Sequence, residues 1–212
     1  MKTKEITQQG LTYKGTRITL GSQKRELIDE LVKVAISWGY DEIHIPIIQY
    51  QSTFKGKVGE ENQHMMFDFA DRKGREICLA PEYTAVIQQL AITSFKYEKD
   101  LCLFYVQECF RGENPQKGRY RQFTQMGLET INPTDPEETL DTMMNIAEMM
   151  VSLVTPNYAV DSSVKRGLDY YKNGQGFEIR CTSLGTQQQI VGGGIYDGGV
   201  GFAIGIDRLL II

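Results

Sequence analysis

The sequence predicts an α+β protein in which helices pack against an antiparallel β-sheet. Strand-like runs occur in pairs that flank short turns, as in residues 65–70 and 76–80 around a polar turn with a glycine. Helical patterns occur at intervals between such pairs. No linker, internal repeat or low-complexity segment divides the 212 residues, so we expect one domain over residues 1–212.

The chain is expected to open with an irregular segment and a helix. Glycines break residues 1–21, which we expect to be an extended or irregular lead-in. A helix is predicted over residues 22–37, where apolar residues recur at helical spacing. Ser22 can cap its start and Gly39 can end it.

The next run contains a proline within a strand pattern. Residues 41–48 alternate apolar and polar side chains, and Pro46 indicates an edge strand or an interface. The remaining predicted elements follow in chain order: a hairpin over 65–70 and 76–80, a helix over 84–95, strands over 101–110 and 123–131, a helix over 135–153 with a methionine-rich core stripe, paired strands over 177–183 and 187–191, a glycine-rich turn region over 192–201, and a strand running into a helix over 201–212.

Charge and cysteine content exclude some classes of protein. A net charge of −4 provides no global basic field for nucleic acid, so such a partner would need a local patch. The four cysteines form no CxxC pair and no metal-binding spacing, which favours reduced thiols and a cytoplasmic protein. Cys102 and Cys109 are expected on opposite faces of one strand. We see no signal peptide and no apolar run of membrane length, and we assign no metal to the two isolated histidines.

The loop formed by residues 111–121, called here the cationic loop, is the most informative segment. Arg111 and Glu113 are two residues apart at the end of an apolar run, a spacing that on a strand points both side chains to one face. An always-charged guanidinium suits the α-phosphate of a nucleotide under attack, and Glu113 can hold an adenine amine or anchor the loop. The alternatives are a cross-strand ion pair or a solvated hairpin tip.

Two further segments offer polar groups that suit an amino acid. Glu82 and Thr84 lie where a strand meets a helix and can bind an ammonium group, although taken alone an ordinary helix start is the simpler explanation. Gln125 and Glu129 are four residues apart on one strand and share a face. Burying them is costly without partners, and an imidazole offers both a donor and an acceptor.

The last third of the chain adds further candidates. Arg166 precedes a glycine turn and can give the α-phosphate a second positive contact, while Tyr171 can stack on or bond to a ring. Tyr196, within a glycine-rich stretch that fits no dinucleotide fingerprint, can line an amino-acid pocket. Gly205 and Arg208 lie where a strand meets the last helix and can pack adenine and bind distal phosphates, unless this is a core helix with a snorkelling arginine.

These segments resemble, in the same order, those of the histidyl-tRNA synthetases, which are class II aminoacyl-tRNA synthetases. Residues 43–48 look like motif 1, residues 110–129 like motif 2 and residues 201–209 like motif 3. Residues 166–171 and 183–198 look like the segments peculiar to the histidyl enzymes. The resemblance implies a class II catalytic-domain fold and a homodimer with motif 1 at its interface.

The resemblance also implies roles for these residues in making histidyl-adenylate from histidine and ATP, with Mg²⁺ on the triphosphate and transfer to tRNA. Arg111 and Arg166 would be catalytic. ATP would be bound by Arg111, Glu113, Arg119, Gly205 and Arg208, and histidine by Glu82, Thr84, Gln125, Glu129, Tyr171 and Tyr196.

Departures from the family pattern leave alternatives open. Only 37 positions separate Glu129 from Arg166, too few for the family's insertion domain, and we expect no anticodon-binding domain. Any tRNA would then be held through its acceptor end alone. Ala80 stands where the family has an arginine, and Tyr83 where it has a glycine. The alternatives are an adenylating core with another acceptor, or a histidine sensor like the regulatory subunit of ATP phosphoribosyltransferase.

Overall fold

The computed structural model describes residues 12–19, 21–58, 63–162, 164, 171–185 and 188–212, with only the backbone for 171–175. The helices are α1 (Ser22–Ser37), α2 (Thr84–Ile92), α3 (Pro136–Ser152) and α4 (Ile206–Leu209). The strands are β1 (Asp41–Glu42), β2 (Ile48–Tyr50), β3 (Phe67–Ala70), β4 (Glu76–Leu79), β5 (Leu101–Phe110), β6 (Gln122–Ile131), β7 (Ala159–Asp161), β8 (Tyr171–Arg180), β9 (Gln189–Tyr196) and β10 (Gly199–Gly205).

Two sheets organise the described residues. The larger has seven strands in the order β1-β5-β6-β10-β9-β8-β7, and all neighbours are antiparallel except β1 and β5. The smaller is an antiparallel sheet in the order β2-β4-β3. The predicted fold class, an antiparallel sheet flanked by helices, is confirmed.

Apolar side chains fill both faces of the large sheet. On one face, Leu31 of α1 and Met143 of α3 pack in a cluster with Phe104, so the methionine stripe is core as predicted. On the other face, Ile87 of α2 packs with Tyr105 and the small sheet. Neighbouring residues of β5 point to opposite faces, as the strand period requires. Cys102 and Cys109 accordingly pack against different clusters, and all four thiols are free.

Several predicted boundaries are confirmed and two details near α1 are wrong. The α1 helix spans the predicted residues, and Gly39 follows it with φ +82°, the left-handed value that ends many helices. Ser22 does not cap the helix, because Gly21 occupies the N-cap position and makes no side-chain bond. The single strand predicted over residues 41–48 is instead two short strands, β1 and β2, in different sheets.

The glycine-rich stretch after residue 191 was wrongly predicted as a turn region. Gly192, Gly193 and Gly194 are central residues of β9, and the turn is confined to Asp197 and Gly198. A side chain at Gly193 would meet Phe177, Phe202 and the Gly201 carbonyl, all at 2.6 Å. Gly193 therefore permits close packing across the strands.

No helix in the described ranges is both long and apolar enough for a membrane span.

Candidate active site

Glu129 is the centre of a buried polar cluster on β6. It is 0% exposed; one carboxylate oxygen accepts from the Thr84 hydroxyl at 3.0 Å and the other from the Tyr196 hydroxyl at 2.7 Å. Burial raises the pKa of Glu129 to about 8, although both hydrogen bonds act in the opposite direction. The structure thus places three of the predicted amino-acid ligands in direct contact.

Two glycines make room for this cluster. A side chain at Gly201, which pairs with Glu129 across β6 and β10, would overlap the Glu129 carboxylate. A side chain at Gly127 would overlap the ring of Tyr105. The absence of side chains at these two glycines therefore leaves room for the Glu129 carboxylate and the Tyr105 ring on the sheet.

Glu82 holds the start of α2 as well as bordering the cluster. Its two oxygens accept from the backbone N–H groups of Thr84 at 2.9 Å and Ala85 at 3.0 Å. This confirms the capping interpretation, yet a carboxylate can accept about four hydrogen bonds. Glu82 can therefore cap the helix and still bind an ammonium group.

The arginines predicted to bind ATP lie near one acid, Glu113. The Arg119 guanidinium lies 2.6 Å from the Glu113 carboxylate. Arg208 donates to the Gly118 carbonyl at 3.0 Å and to the Gln189 carbonyl at 2.6 Å. Burial lowers the pKa of Arg208; the Glu113 charge opposes that shift, while Arg111 and Arg119 add to it. Four predicted ATP ligands therefore lie within electrostatic range of one another, a concentration of positive charge that suits a polyphosphate.

The structure corrects the geometry predicted for Arg111 and Glu113. The β5 strand ends at Phe110, and the Glu113 N–H donates to the Arg111 carbonyl at 2.8 Å, so the two residues lie in a tight turn beyond the strand. Alternation along a strand was the wrong reason for placing them together. The Arg111 guanidinium donates to the Pro81 carbonyl at 2.8 Å, beside Glu82, and lies 5.2 Å from the centre of the Phe123 ring.

Gln125 lies on β6, between the cationic loop and Glu129 in the chain. It pairs with Gly205 across β6 and β10, and its side-chain oxygen accepts from the Cys109 thiol at 3.2 Å. Burial raises the pKa of Cys109; the Arg111 charge opposes the shift and the Glu82 charge adds to it. The Arg111 guanidinium bonds to the Pro81 carbonyl, and the next residue, Glu82, accepts from the Thr84 N–H, so the cations and the acidic cluster meet at the start of α2.

Two predicted site residues stay predictions. Arg166 lies outside the described residues, and Tyr171 is described by its backbone alone, which pairs with Tyr196. No group of three or more histidine, cysteine, aspartate or glutamate side chains within the described part of the chain is arranged to hold a metal ion.

Two residues in the site were not predicted from the sequence. Tyr105 is fully buried, and its hydroxyl has no hydrogen-bond partner among the described residues. The sequence signal that could have indicated its burial is its position in the strand-like run 101–110, where neighbouring residues point to opposite faces of the sheet. Asp207 accepts from the Thr124 N–H and from Arg17, both at 2.6 Å. An acid and an arginine within a mostly apolar terminal run were the signal there.

Known proteins resemble this chain in both sequence and fold. The family model for histidyl-tRNA synthetase matches residues 21–161. A histidine–tRNA ligase of Methanosarcina acetivorans is 26% identical over 308 aligned residues, covering 94% of this chain and 74% of that protein. Another, of Methanococcus aeolicus, is 35% identical and covers 74% of this chain and 35% of its own length. The first alignment is longer than the 212 residues of this chain, so that relative has residues within the matched span that this chain lacks.

Solved structures agree on the fold. Apo histidyl-tRNA synthetase of Staphylococcus aureus superimposes with a TM-score of 0.76 at 24% identity, covering 94% of this chain and 69% of that one. A histidine–tRNA ligase subunit of Alicyclobacillus acidocaldarius gives 0.79 at 13% identity, covering 97% and 98%. A Bacillus halodurans protein described as an ATP phosphoribosyltransferase regulatory subunit/histidyl-tRNA synthetase gives 0.76 at 16% identity, covering 97% and 84%.

Proposed function

This chain belongs to the histidyl-tRNA synthetase family, and on that premise we propose that it activates histidine with ATP and transfers the histidyl group to tRNA. One observation carries the proposal. A buried, hydroxyl-lined cluster around Glu129 adjoins a group of arginines near Glu113, because Arg111 bonds to the Pro81 carbonyl beside Glu82, and Glu82 holds Thr84 of the cluster. The first suits an amino acid with an imidazole, and the second suits a nucleoside triphosphate.

In this proposal, Gln125, Glu129 and Tyr196 recognise the imidazole, and Glu82 and Thr84 bind the ammonium end of histidine. Tyr171 belongs to the same set by family resemblance. Because Glu82 and Glu129 are both buried, they favour a ligand that supplies hydrogen-bond donors.

The remaining residues act on ATP. Arg111 would contact the α-phosphate as the histidine carboxylate attacks it, with Arg166 as the second contact, and pyrophosphate leaves. Glu113, Arg119, Gly205 and Arg208 would hold the rest of the nucleotide. The substrate is MgATP, because magnesium commonly binds through phosphates and water with one or two carboxylates. No covalent bond to the enzyme is needed, so the protein contributes position and charge.

Isotope exchange between pyrophosphate and ATP tests the adenylation step. We expect exchange that depends on histidine and not on the other nineteen amino acids. Charging of tRNA then tests the second step. Exchange without charging would favour an adenylating core with another acceptor. Histidine binding without pyrophosphate exchange would favour a histidine sensor; the Bacillus halodurans protein is described as an ATP phosphoribosyltransferase regulatory subunit as well as a histidyl-tRNA synthetase.

We further propose that residues 1–212 form one catalytic domain that acts in the cytoplasm, as the free thiols favour. Any tRNA contact would be made through the acceptor end. The partner in the assembly would be a second copy of the chain. Ile48 and Tyr50 of β2 are more than half exposed beside an apolar groove of about 640 Å³. Exposed apolar surface of this kind marks interaction sites.

A further inference from the structure

The residues that precede α1 lie against the cationic loop. We call residues 13–17 the N-terminal strap. The Gly15 carbonyl accepts from the Arg121 N–H at 2.8 Å, and the Arg121 guanidinium donates to the Tyr13 hydroxyl at 2.8 Å and to the Lys14 carbonyl at 3.3 Å. The sequence predicted only an irregular lead-in here. These contacts span more than 100 positions of the chain, so local sequence could not have indicated them.

Gly15 is required by both backbone and packing. Its φ is +90°, and a side chain there would lie 2.8 Å from Pro115 and 2.8 Å from Arg121. Other residues rarely adopt that backbone conformation, and here they would also collide with two residues of the loop. The fit between strap and loop therefore depends on the absence of a single methyl group.

Arg121 differs from the other cations of the loop. Besides its bonds to the strap, its guanidinium donates to the Glu113 carbonyl at 3.0 Å, and its own carbonyl accepts from the Arg111 N–H at 3.0 Å. Arg121 thus bonds to the backbone of both proposed ATP ligands at the start of the loop. Its charge is used in anchoring, because its donors are directed at protein oxygens.

The strap also reaches the last helix. The Arg17 guanidinium lies 3.4 Å from the centre of the Tyr120 ring and 2.6 Å from the Asp207 carboxylate. Asp207 precedes Arg208, which donates to the Gly118 carbonyl from the other side of the loop. The cationic loop is therefore held between the strap and α4.

We propose that the N-terminal strap is a positioning element for the ATP site, and that Arg121 is the anchor through which it fixes Arg111 and Glu113. The inference rests on the proposed function for its kinetic consequence, but not for its structural one. Preorganised charges act on a phosphate only if they are held in place before it arrives. A loosened strap should therefore impair the use of ATP and leave histidine recognition unchanged.

Gly15→Ala tests the proposal, with Gly39→Ala as the matched control. Gly39 has φ +82°, and a Cβ at that position would meet no atom within 4 Å, so its variant has similar backbone strain and no collision. We expect Gly15→Ala to lower kcat/KM for ATP by roughly ten- to a hundredfold, since misplacement of about 1 Å can cost ~10²-fold. The KM for histidine should stay within about twofold of the wild-type value, and Gly39→Ala should alter neither constant by more than about twofold.

A second pair of variants separates anchoring from general damage. Tyr13→Phe removes one hydrogen bond and keeps the ring, whose centre lies 5.1 Å from the Arg121 guanidinium. Tyr13→Ala removes both contacts. We expect a graded loss of kcat/KM for ATP, with Phe restoring most of what Ala loses.

Hydrogen exchange supplies a readout that needs no activity. The Arg121 and Arg111 amides should exchange at least about tenfold faster in Gly15→Ala than in Gly39→Ala, because opening free energies fall where packing is lost. The positioning role is overturned if the two amides exchange hydrogen equally fast in the two variants. It is also overturned if Gly15→Ala lowers kcat/KM for ATP and for histidine equally. If the wild-type protein shows no histidine-dependent pyrophosphate exchange, the proposed function is overturned. The comparison of amide hydrogen exchange between the two variants still tests whether the strap holds the loop.

Discussion

Glu129 combines complete burial with two hydroxyl donors, and its pKa makes the stability of the protein depend on pH. An ordinary glutamate has a pKa of 4.5, and burial raises that of Glu129 to about 8. Between these values the folded protein holds a proton that the unfolded chain releases. The contribution of Glu129 to the free energy of unfolding is therefore largest below pH 4.5 and decreases as the pH rises toward 8.

We predict that Glu129→Gln removes this dependence. Without histidine, the free energy of unfolding of the variant, relative to wild type, should increase steadily between pH 5 and pH 8. Urea unfolding at several pH values measures it. Glu26→Gln, at an exposed position on α1, is the control and should follow the wild-type profile. Parallel profiles for wild type and Glu129→Gln would show that Glu129 is ionised throughout.

At Arg208, shape matters as much as charge. Its two hydrogen bonds to the Gly118 and Gln189 carbonyls use separate nitrogens of one guanidinium, which a lysine cannot reproduce. We predict that Arg208→Lys raises the KM for ATP by roughly ten- to a hundredfold, since hydrogen bonds to charged groups contribute ~1.5–3 kcal/mol. The KM for histidine should stay unchanged. Pyrophosphate exchange measures both constants. Lys117→Ala is the control, because Lys117 is an exposed cation of the same loop, and it should change the KM for ATP much less.

At the scale of elements, the sequence predicted β5, β6 and their pairing almost to the residue. Alternating side chains fill two different cores there, and each core imposes the period. The sequence failed at β9, because glycine disfavours strands and three adjacent glycines indicate a turn. At Gly193 the Phe177 ring, the Phe202 Cβ and the Gly201 carbonyl occupy the space of a side chain, and at Gly201 of the neighbouring β10 the Glu129 carboxylate does so. Such a constraint comes from distant residues and has no local signal.

The segment that joins β4 to α2 shows a chain-specific adjustment. Tyr83, which stands where the resembling family has a glycine, is buried and donates to the Glu108 carbonyl at 2.9 Å. Its ring centre lies 5.2 Å from that of Tyr105. The Phe110 N–H bonds to the Ala80 carbonyl, so this segment covers β5 beyond its pairing with β1.

We predict that Tyr83→Phe lowers the free energy of unfolding by about 1 kcal/mol, because the Glu108 carbonyl loses its donor. Tyr97→Phe is the matched control, since Tyr97 is 85% exposed, and it should leave stability unchanged. Chemical denaturation measures both. An unchanged Tyr83→Phe would mean that water replaces the phenol and that the segment is not held by this bond.

At the scale of the whole molecule, the two sheets divide the work. The large sheet carries the candidate site on β6 and β10, whereas the small sheet presents apolar surface. Ile48 is 55% exposed and Phe69 46% exposed, and Ile45 and Pro46 line the adjoining groove. Pro46 lies just before β2 and has no N–H to donate, so at this position the groove offers side-chain contacts. The proposed homodimer would bury this surface.

Ile48→Asp should therefore convert a dimer to a monomer, since a carboxylate buried in an apolar interface lacks a partner. Sedimentation equilibrium at micromolar concentration measures the change, and Ile36→Asp is the control because Ile36 is similarly exposed, at 59%, on α1. A stable interface buries about 1,200–2,000 Å² in total. Loss of one central contact should then raise the dissociation constant by at least ~10-fold, since each 1.4 kcal/mol is tenfold. If wild type is monomeric, or if both variants remain dimeric, the small sheet is not the interface, and the exposed isoleucine must be explained by another partner.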